Sequence, residues 1–355
     1  MSKQTDTDEK YMARAIVLAY EGLGDTYPNP AVGCVIVSGG DIIGEGYHHR
    51  AGQPHAEVNA LASVKDKSRL AHSTLYVTLE PCAHHGKTPP CADRIIHEGI
   101  PRVVVSIQDP FAQVNGLGLE KMRDAGIDVT VGILEDECRE LNKRFFIFHQ
   151  KKRPYIFLKW AQTSDGFIDT LRDLPDTHPL KITGEETQKY VHRMRSLEQA
   201  IMVGTRTALL DNPRLDARLA EKRRDPLRVV LDRDGKIPAE YHLKDGSIPT
   251  LFFTADVRPK EGFTEYIPLS PSRDTIDQTL EELYRRNIQS LIVEGGAELL
   301  GSFISRGLWD EAYIFTALQT IGTGVKAPEL PANARKIREE TIGRDRLDIF
   351  KNPAV

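Results

Sequence analysis

The 355 residues include only four cysteines, Cys34, Cys82, Cys91 and Cys138. The segment Met1–Lys10 is polar and acidic and lacks the apolar stretch of a signal peptide. Few thiols without an export signal argue against a disulfide framework, and the expected location is cytoplasmic. No run of about 18 apolar residues occurs, so no membrane-spanning helix is expected. Basic excess is absent too: 47 Lys and Arg against 51 Asp and Glu leave a net charge of −4. That balance, with no basic–aromatic stripe, offers nothing to nucleic acid. Lys151-Lys152-Arg153 and Lys222-Arg223-Arg224 are short and read as solvated surface or linker. There is no Gly-x-Gly-x-x-Gly fingerprint, so a Rossmann reading lacks support. Internal repeats and low-complexity tracts are missing as well.

What is present is an ordinary globular composition, 40% hydrophobic and 28% charged. The length suits two domains. The polar stretch His149–Arg153 before Pro154 marks a boundary, giving expected domains 1–149 and 150–355. In the first, apolar spacing predicts helices over 8–24, 55–64, 92–98, 121–125 and 135–148. Strands are predicted over 31–37, 42–47, 74–79, 102–107 and 127–131, with Gly39-Gly40-Asp41 as a hairpin turn. The second half predicts strands at 155–160, 200–203, 227–231, 250–254, 290–293 and 312–316. Helices are predicted at 184–196, 274–286 and 296–306. The last strand offers either a core strand or a dimer interface. Alternating helices and strands give an α/β fold with a mixed sheet.

The chemistry concentrates in His55, Glu57, Cys82 and Cys91. One imidazole and two thiols are zinc ligands, and three protein ligands leave the fourth tetrahedral position for water. Such water has a pKa near ~7, so hydroxide is available at neutral pH. Glu57 is not a ligand in this scheme. It takes a proton from the water and delivers protons to a ring nitrogen and to departing ammonia. His55 and Glu57 open a helix after Pro54, Cys82 follows a strand, and Cys91 opens a helix behind Pro89-Pro90. Eight residues separate the cysteines, where the common deaminase signature has two. The loop so formed holds His84, Lys87 and Thr88 beside the metal. The competing reading is a closed structural site with His84 or His85 as fourth ligand. A non-enzymatic zinc-binding module, or a nucleic-acid deaminase with a C-terminal binding domain, would be the alternatives. Cys34 and Cys138 read as core thiols, His72 and His97 as surface, and His48 as a residue able to face the site.

Several stretches resemble the bifunctional riboflavin-biosynthesis deaminase/reductase family. They are Pro28-Asn29-Pro30-x-Val32-Gly33-Cys34, Gly44-x-Gly46-Tyr47-His48, Pro54-His55-Ala56-Glu57, Glu80-Pro81-Cys82 and Gly86-Lys87-Thr88-Pro89-Pro90-Cys91. The resemblance continues through Leu158-Lys159, Ile182-Thr183-Gly184, Val203-Gly204, Asp211-x-Pro213-x-Leu215-x-x-Arg218 and Val293-Glu294-Gly295-Gly296. It implies a cytidine-deaminase-like three-layer α/β/α domain followed by a dihydrofolate-reductase-like α/β domain. It implies one zinc ion, NADPH, and a small phosphorylated pyrimidine: 2,5-diamino-6-(5-phosphoribosylamino)pyrimidin-4(3H)-one is deaminated, then its ribosyl chain is reduced to ribityl. A homo-oligomer, dimer or tetramer, goes with it.

The same resemblance implies deaminase substrate contacts from Asn29, His84 and Lys87, and reductase substrate contacts from Arg195, Leu215, Arg218 and Glu294. Cofactor contacts would come from Gln162, Lys181, Thr207, Asp211, Arg233, Gly296, Ala297, Glu298, Leu299, Leu300, Gly301 and Ser302. The chain departs from the family at Phe111-Ala112 (Asn-Pro), Lys181 (Trp), Thr163-Ser164 (Ser-Leu) and Arg233 (Ser). From the residues alone, the glycine turn at 295–296 before a helix suits a phosphate. Arg233 reads either as a ligand of the NADPH 2′-phosphate or as a solvent-facing arginine at a strand end.

Overall fold

The structure is a computed structural model that describes residues 3–83, 89–111, 114–172, 179–221 and 224–354. The chain forms two compact units, Met1–Lys152 and Arg153–Val355.

Unit 1 runs α1 (Lys3–Gly22), β1 (Gly33–Ser38), β2 (Asp41–Tyr47), α2 (Ala56–Ser63), β3 (Ser73–Val77), α3 (Cys91–His97), β4 (Arg102–Val105), α4 (Leu117–Asp124), β5 (Asp128–Val131), α5 (Glu135–Leu141) and α6 (Lys143–Lys151). The sheet order is β2-β1-β3-β4-β5. β1 pairs antiparallel with β2 and β3, whereas β3, β4 and β5 are parallel. Gly39 and Gly40 make the two-residue hairpin turn, both with positive φ (+64° and +87°), as a primed turn demands.

Strand alternation sorts the core into two faces. Cys34, Ile36, Leu75, Val77, Val103 and Val105 pack with α2, α3 and α4. Val35, Val37, Tyr76 and Val104 pack with Tyr11, Met12 and Ala15 of α1 and with Cys138 and Phe146. Three layers result. On the α2 side the backbones nearly touch. A Cβ added at Gly44 would lie 2.6 Å from the Ala60 carbonyl oxygen, and one at Gly46 2.4 Å from the Ala60 nitrogen.

The single helix predicted over 135–148 is two helices. Asn142 lies at the break with φ −106° and ψ 22°. Its side-chain amide accepts from Ala31 N at 2.9 Å and donates to Ala31 O at 2.8 Å. Those bonds tie the break to a segment distant in sequence.

Unit 2 runs β6 (Tyr155–Gln162), β7 (Phe167–Asp169), α7 (Glu185–Leu197), β8 (Ala200–Gly204), α8 (Thr205–Asp211), β9 (Leu227–Leu231), β10 (Thr250–Thr254), β11 (Thr264–Pro268), α9 (Thr275–Arg285), β12 (Ser290–Glu294), α10 (Ala297–Ser305), β13 (Glu311–Thr316), β14 (Val325–Lys326), β15 (Arg335–Ile342) and β16 (Asp345–Lys351). The nine-stranded sheet has the order β11-β10-β9-β8-β12-β6-β13-β16-β15. Its strands are parallel from β11 to β13, and β16 pairs antiparallel with β13 and β15. The last predicted strand is therefore interior, with Ala312 and Phe315 fully buried. Strands β7, β11, β14, β15 and β16 and helix α8 had no counterpart in the sequence reading. A buried pair anchors the unit: Arg153 grips Asp310 with two bonds (2.6 and 2.8 Å), and Ile156 N donates to the same carboxylate at 2.7 Å.

Candidate active sites

In unit 1 the turn after β2 and Pro54 delivers His55 as the N-cap of α2. Cys82 follows β3, and Cys91 is the first residue of α3. Among the described residues these three form the only group of His, Cys, Asp or Glu ligand atoms able to share an ion, all within 4.8 Å of one another. His55 Nδ1 lies 3.7 Å from Cys82 Sγ and 3.3 Å from Cys91 Sγ. A tetrahedral zinc with Zn–N near 2.05 Å and Zn–S near 2.3 Å needs an N···S edge of about 3.6 Å. Both N···S edges lie within about 0.3 Å of that value, so the donor set suits zinc in type and approximate size. The α3 amide of Cys91 donates to Cys82 Sγ at 3.3 Å, which favours thiolate there. Cys91 and then the imidazole of His55 hold the Cys82 thiol down, at about 4, against its burial, while Cys82 and burial push the Cys91 thiol up.

Glu57, on the first turn of α2, is 3% exposed. Burial, with Cys82 adding to it, raises its carboxyl to about 7. A carboxyl poised there can both accept and release a proton near neutrality. His48 is buried, its ring centre 5.4 Å from that of His55. Its Nδ1 must donate to the Pro54 carbonyl at 3.0 Å, so in the neutral ring Nε2 accepts from the Asn29 amide, also at 3.0 Å. Burial lowers the His48 pKa and keeps the ring neutral. Asn29 is thereby oriented beside the metal ligands. His84 and Lys87, assigned to substrate from the sequence, lie outside the described residues.

Glu80 entered the sequence reading only within Glu80-Pro81-Cys82, with no role of its own. Its buried carboxylate accepts from the amides of Asp109 (3.2 Å), Gly116 (2.9 Å) and Gly118 (2.9 Å), fixing the loop before α4 next to Pro81-Cys82. Asp109 is buried beside it, and burial raises its carboxyl to about 7. A charged residue directly before Pro-Cys at a strand end was the available signal.

In unit 2 the ends of β6, β8, β9 and β12 open onto a cleft of about 1430 Å³. Arg195, Leu215, Glu294, Lys181, Thr207, Asp211, Gly296, Ala297, Glu298, Leu299 and Ser302 line it. Gln162, Arg218, Arg233 and Gly301 do not line it, and Leu300 is fully buried in the core. Leu300 faces the sheet because it follows Glu298 and Leu299 around the helix. Gln162 instead accepts from Trp160 Nε1 at 2.9 Å.

At the centre, Arg195 of α7 donates to both oxygens of Glu294 (3.0 and 2.8 Å) and to the Asp216 carbonyl (3.1 Å). Lys159 Nζ sits 3.5 Å from the same carboxylate. Burial opposes the Glu294 charge, but Arg195 and Lys159 overcome it and hold the carboxyl at about 2. Lys159 has only a share of that one carboxylate, so burial wins and its pKa is lowered. The sequence signal for Lys159 was a lysine inside an otherwise apolar strand. Arg172, also missed, is buried against Asp169 and Asp211.

The cleft carries a glycine turn at Gly295 and Gly296. Gly295 has φ +125°, and a Cβ there would lie 2.9 Å from Thr207 Oγ1. Gly296 N donates to that oxygen at 2.9 Å. The turn leaves the start of α10 bare of side chains, which suits a phosphate. A nicotinamide dinucleotide fits these residues.

Two families match the chain: the cytidine and deoxycytidylate deaminase zinc-binding region over residues 5–107, and the RibD C-terminal domain over residues 154–345. The riboflavin biosynthesis protein RibD of Aquifex aeolicus is 40% identical over 360 residues, 98% of this chain and 99% of its own length. The chain belongs to the RibD family. RibD of Escherichia coli is 38% identical, with 90% of each chain covered. The crystal structure of a diaminohydroxyphosphoribosylaminopyrimidine deaminase/5-amino-6-(5-phosphoribosylamino)uracil reductase from Thermotoga maritima superposes with a TM-score of 0.89 at 36% identity, covering 98% of this chain and 99% of that one. RibD of Acinetobacter baumannii gives a TM-score of 0.86 at 31% identity, with the same coverage. The two-domain RibD architecture, deaminase-like then dihydrofolate-reductase-like, is thus that of this chain.

Proposed function

We infer that this chain is a bifunctional enzyme of riboflavin biosynthesis, a zinc-dependent pyrimidine deaminase followed by an NADPH-dependent reductase. The observation that carries the reading is the His55–Cys82–Cys91 triangle of zinc dimensions with the buried Glu57 beside it. We assign residues 1–149 to the deaminase and 150–355 to the reductase. The substrate is the phosphoribosylated diaminopyrimidinone, a small molecule and not a polynucleotide.

His55, Cys82 and Cys91 would hold the zinc. When bound, the ion supplies a water acidic enough to serve as nucleophile near pH 7. Glu57 accepts the proton from that water and hands protons to the ring nitrogen and the departing amine. His48 holds Asn29 ready to pair with the pyrimidine edge. Lys87 and His84 are assigned to the substrate phosphate and ring.

In the reductase, NADPH supplies the hydride. Arg195 is held by Glu294 and faces the cleft, where it can take the substrate phosphate bidentately. Lys159, its pKa lowered by burial, is a proton source for the opened ribose. Thr207 keeps the 295–296 turn in place for the cofactor pyrophosphate. Cytoplasmic location and a dimer or tetramer complete the proposal.

Mass spectrometry of the products tests it. Zinc enzyme without NADPH should yield a product in which oxygen replaces an amino group. Adding NADPH should then add two hydrogens. Unchanged substrate mass with intact zinc refutes the deaminase, and NADPH oxidation independent of the deaminated product refutes the reductase.

A further inference from the structure

Thr207 and Asp211 stand four residues apart on α8, so they share one face of that helix about 6 Å apart along its axis. Thr207 Oγ1 holds the glycine turn at 295–296, and Asp211 lines the same cleft. A carboxylate one helical turn from a pyrophosphate site is placed to accept the hydroxyls of a ribose. In NADPH the ribose with a free diol is the one on the nicotinamide side. Asp211 can accept from that diol only while it is ionised and fixed in direction. Its surroundings oppose the first condition. Burial raises the Asp211 carboxyl, Arg172 pulls it back, and Asp169 adds to the rise as a like charge.

Arg172 meets both conditions. Its side chain is 4% exposed, against 19% for Asp169 and 28% for Asp211. Its Nε donates to Asp169 Oδ2 at 2.8 Å, and one terminal nitrogen reaches both Asp169 and Asp211. The other terminal nitrogen donates to the Leu210 carbonyl at 3.3 Å, in the last turn of α8. In return, Arg206 in the first turn of α8 donates to the Arg172 carbonyl at 3.1 Å. Side chain and backbone together thus tie α8 to the segment that follows β7. Arg172 takes Asp211 Oδ1 and leaves Oδ2 to accept from a ligand. The charges that face Asp211 are Arg172 and Asp169, from β7 and the segment after it, while Arg206 belongs to α8 itself. We propose that Arg172 is a positioning residue of the reductase, which by bridging Asp169 and Asp211 fixes the Asp211 carboxylate toward the nicotinamide-side ribose of NADPH. This rests on reading the cleft as the reductase site.

The test is equilibrium binding of NADPH to the full-length protein, followed by nicotinamide fluorescence, with 2′,5′-ADP as a competitor that carries the adenosine half alone. Asp211→Asn should weaken NADPH about 10-fold, and Arg172→Met about as much. The double variant should be within about twofold of Asp211→Asn, because the arginine acts through the acid. Both single variants should bind 2′,5′-ADP within about twofold of wild type, which a general loosening of the unit would not allow. Relative to wild type, the Arg172→Met deficit should be largest near pH 6 and shrink toward pH 9, as the unheld Asp211 ionises. Arg172→Lys keeps the cation without the two-acid bridge. It should lose about threefold at every pH, again without adding to Asp211→Asn, and it carries the test if circular dichroism shows Arg172→Met unfolded. Losses that multiply in the double variant, an Arg172→Met deficit equal at every pH, or equal weakening of 2′,5′-ADP each overturns the assignment. If Arg172→Met and Arg172→Lys bind NADPH as wild type does while Asp211→Asn does not, Arg172 loses its role and the cofactor reading stands. If wild-type protein does not bind NADPH, the reductase reading itself falls, and Arg172 with it.

Discussion

Replacing Glu294 by Gln keeps the shape of a buried side chain but removes the charge between Arg195 and Lys159. The folded carboxyl sits at about 2 against an ordinary 4.5, a gap worth about 3 kcal/mol of folding stability. Taking one partner out of a buried ion pair costs about 3–5 kcal/mol, which agrees. The sign is set by the depressed value. The stabilisation is complete above pH 4.5 and is lost as pH falls from 4.5 through 2. Both tryptophans of the chain, Trp160 and Trp309, lie buried in the second unit, 3% and 0% exposed. Tryptophan fluorescence in urea therefore reports that unit alone. With a denaturant slope of about 2–3 kcal/mol per molar, Glu294→Gln should lower the midpoint by about 1–1.5 M at pH 7. The gap between the two proteins should narrow as pH drops below 4.5. A midpoint unchanged at pH 7, or a gap that widens in acid, would refute the view that this triad is a net stabiliser.

Three further outcomes follow from the sites. Glu57→Gln should cut ammonia release at least 10²-fold while elemental analysis still finds one zinc per chain; retained deamination removes Glu57 from its role. Chelation of zinc should abolish deamination but spare NADPH oxidation supplied with deaminated pyrimidine, measured at 340 nm, and loss of both refutes separate sites. Gly295→Ala places a methyl where φ is +125° and Thr207 Oγ1 is 2.9 Å away. It should weaken NADPH binding about tenfold or more by fluorescence titration, and unaltered binding would show that the turn does not carry the cofactor.

How much of this was legible beforehand depended on whether the cause was local. The apolar strands and the hairpin glycines announced themselves by alternation and turn chemistry. The zinc triangle was legible because ligand type and Pro-Cys placement are written in short segments. The break at Asn142 was not, since its cause is two hydrogen bonds to Ala31. Strand β15, Arg335–Ile342, is charge-rich and mostly exposed, so its strand state comes from pairing with β16 and not from its own sequence. Arg233 illustrates a choice that the sequence left open. A cation at a strand end was visible, but a turn held by Asp232 decides which of Arg233 and Lys236 faces the cleft. The role of Glu80 was hidden for a similar reason, because its partners are amides brought to it only by the fold.

The glycine contacts between β2 and α2 have a consequence for metal binding. Ordinary contact begins near 3.4 Å, so a methyl at Gly44 or Gly46 would drive α2 outward by about 1 Å. Zinc tolerates errors of only about 0.2 Å in its ligand distances. His55 and Glu57 ride on that helix, while the two cysteines do not. The pair of glycines therefore works as a gauge block, setting from outside the coordination sphere whether the imidazole arrives where the thiolates wait.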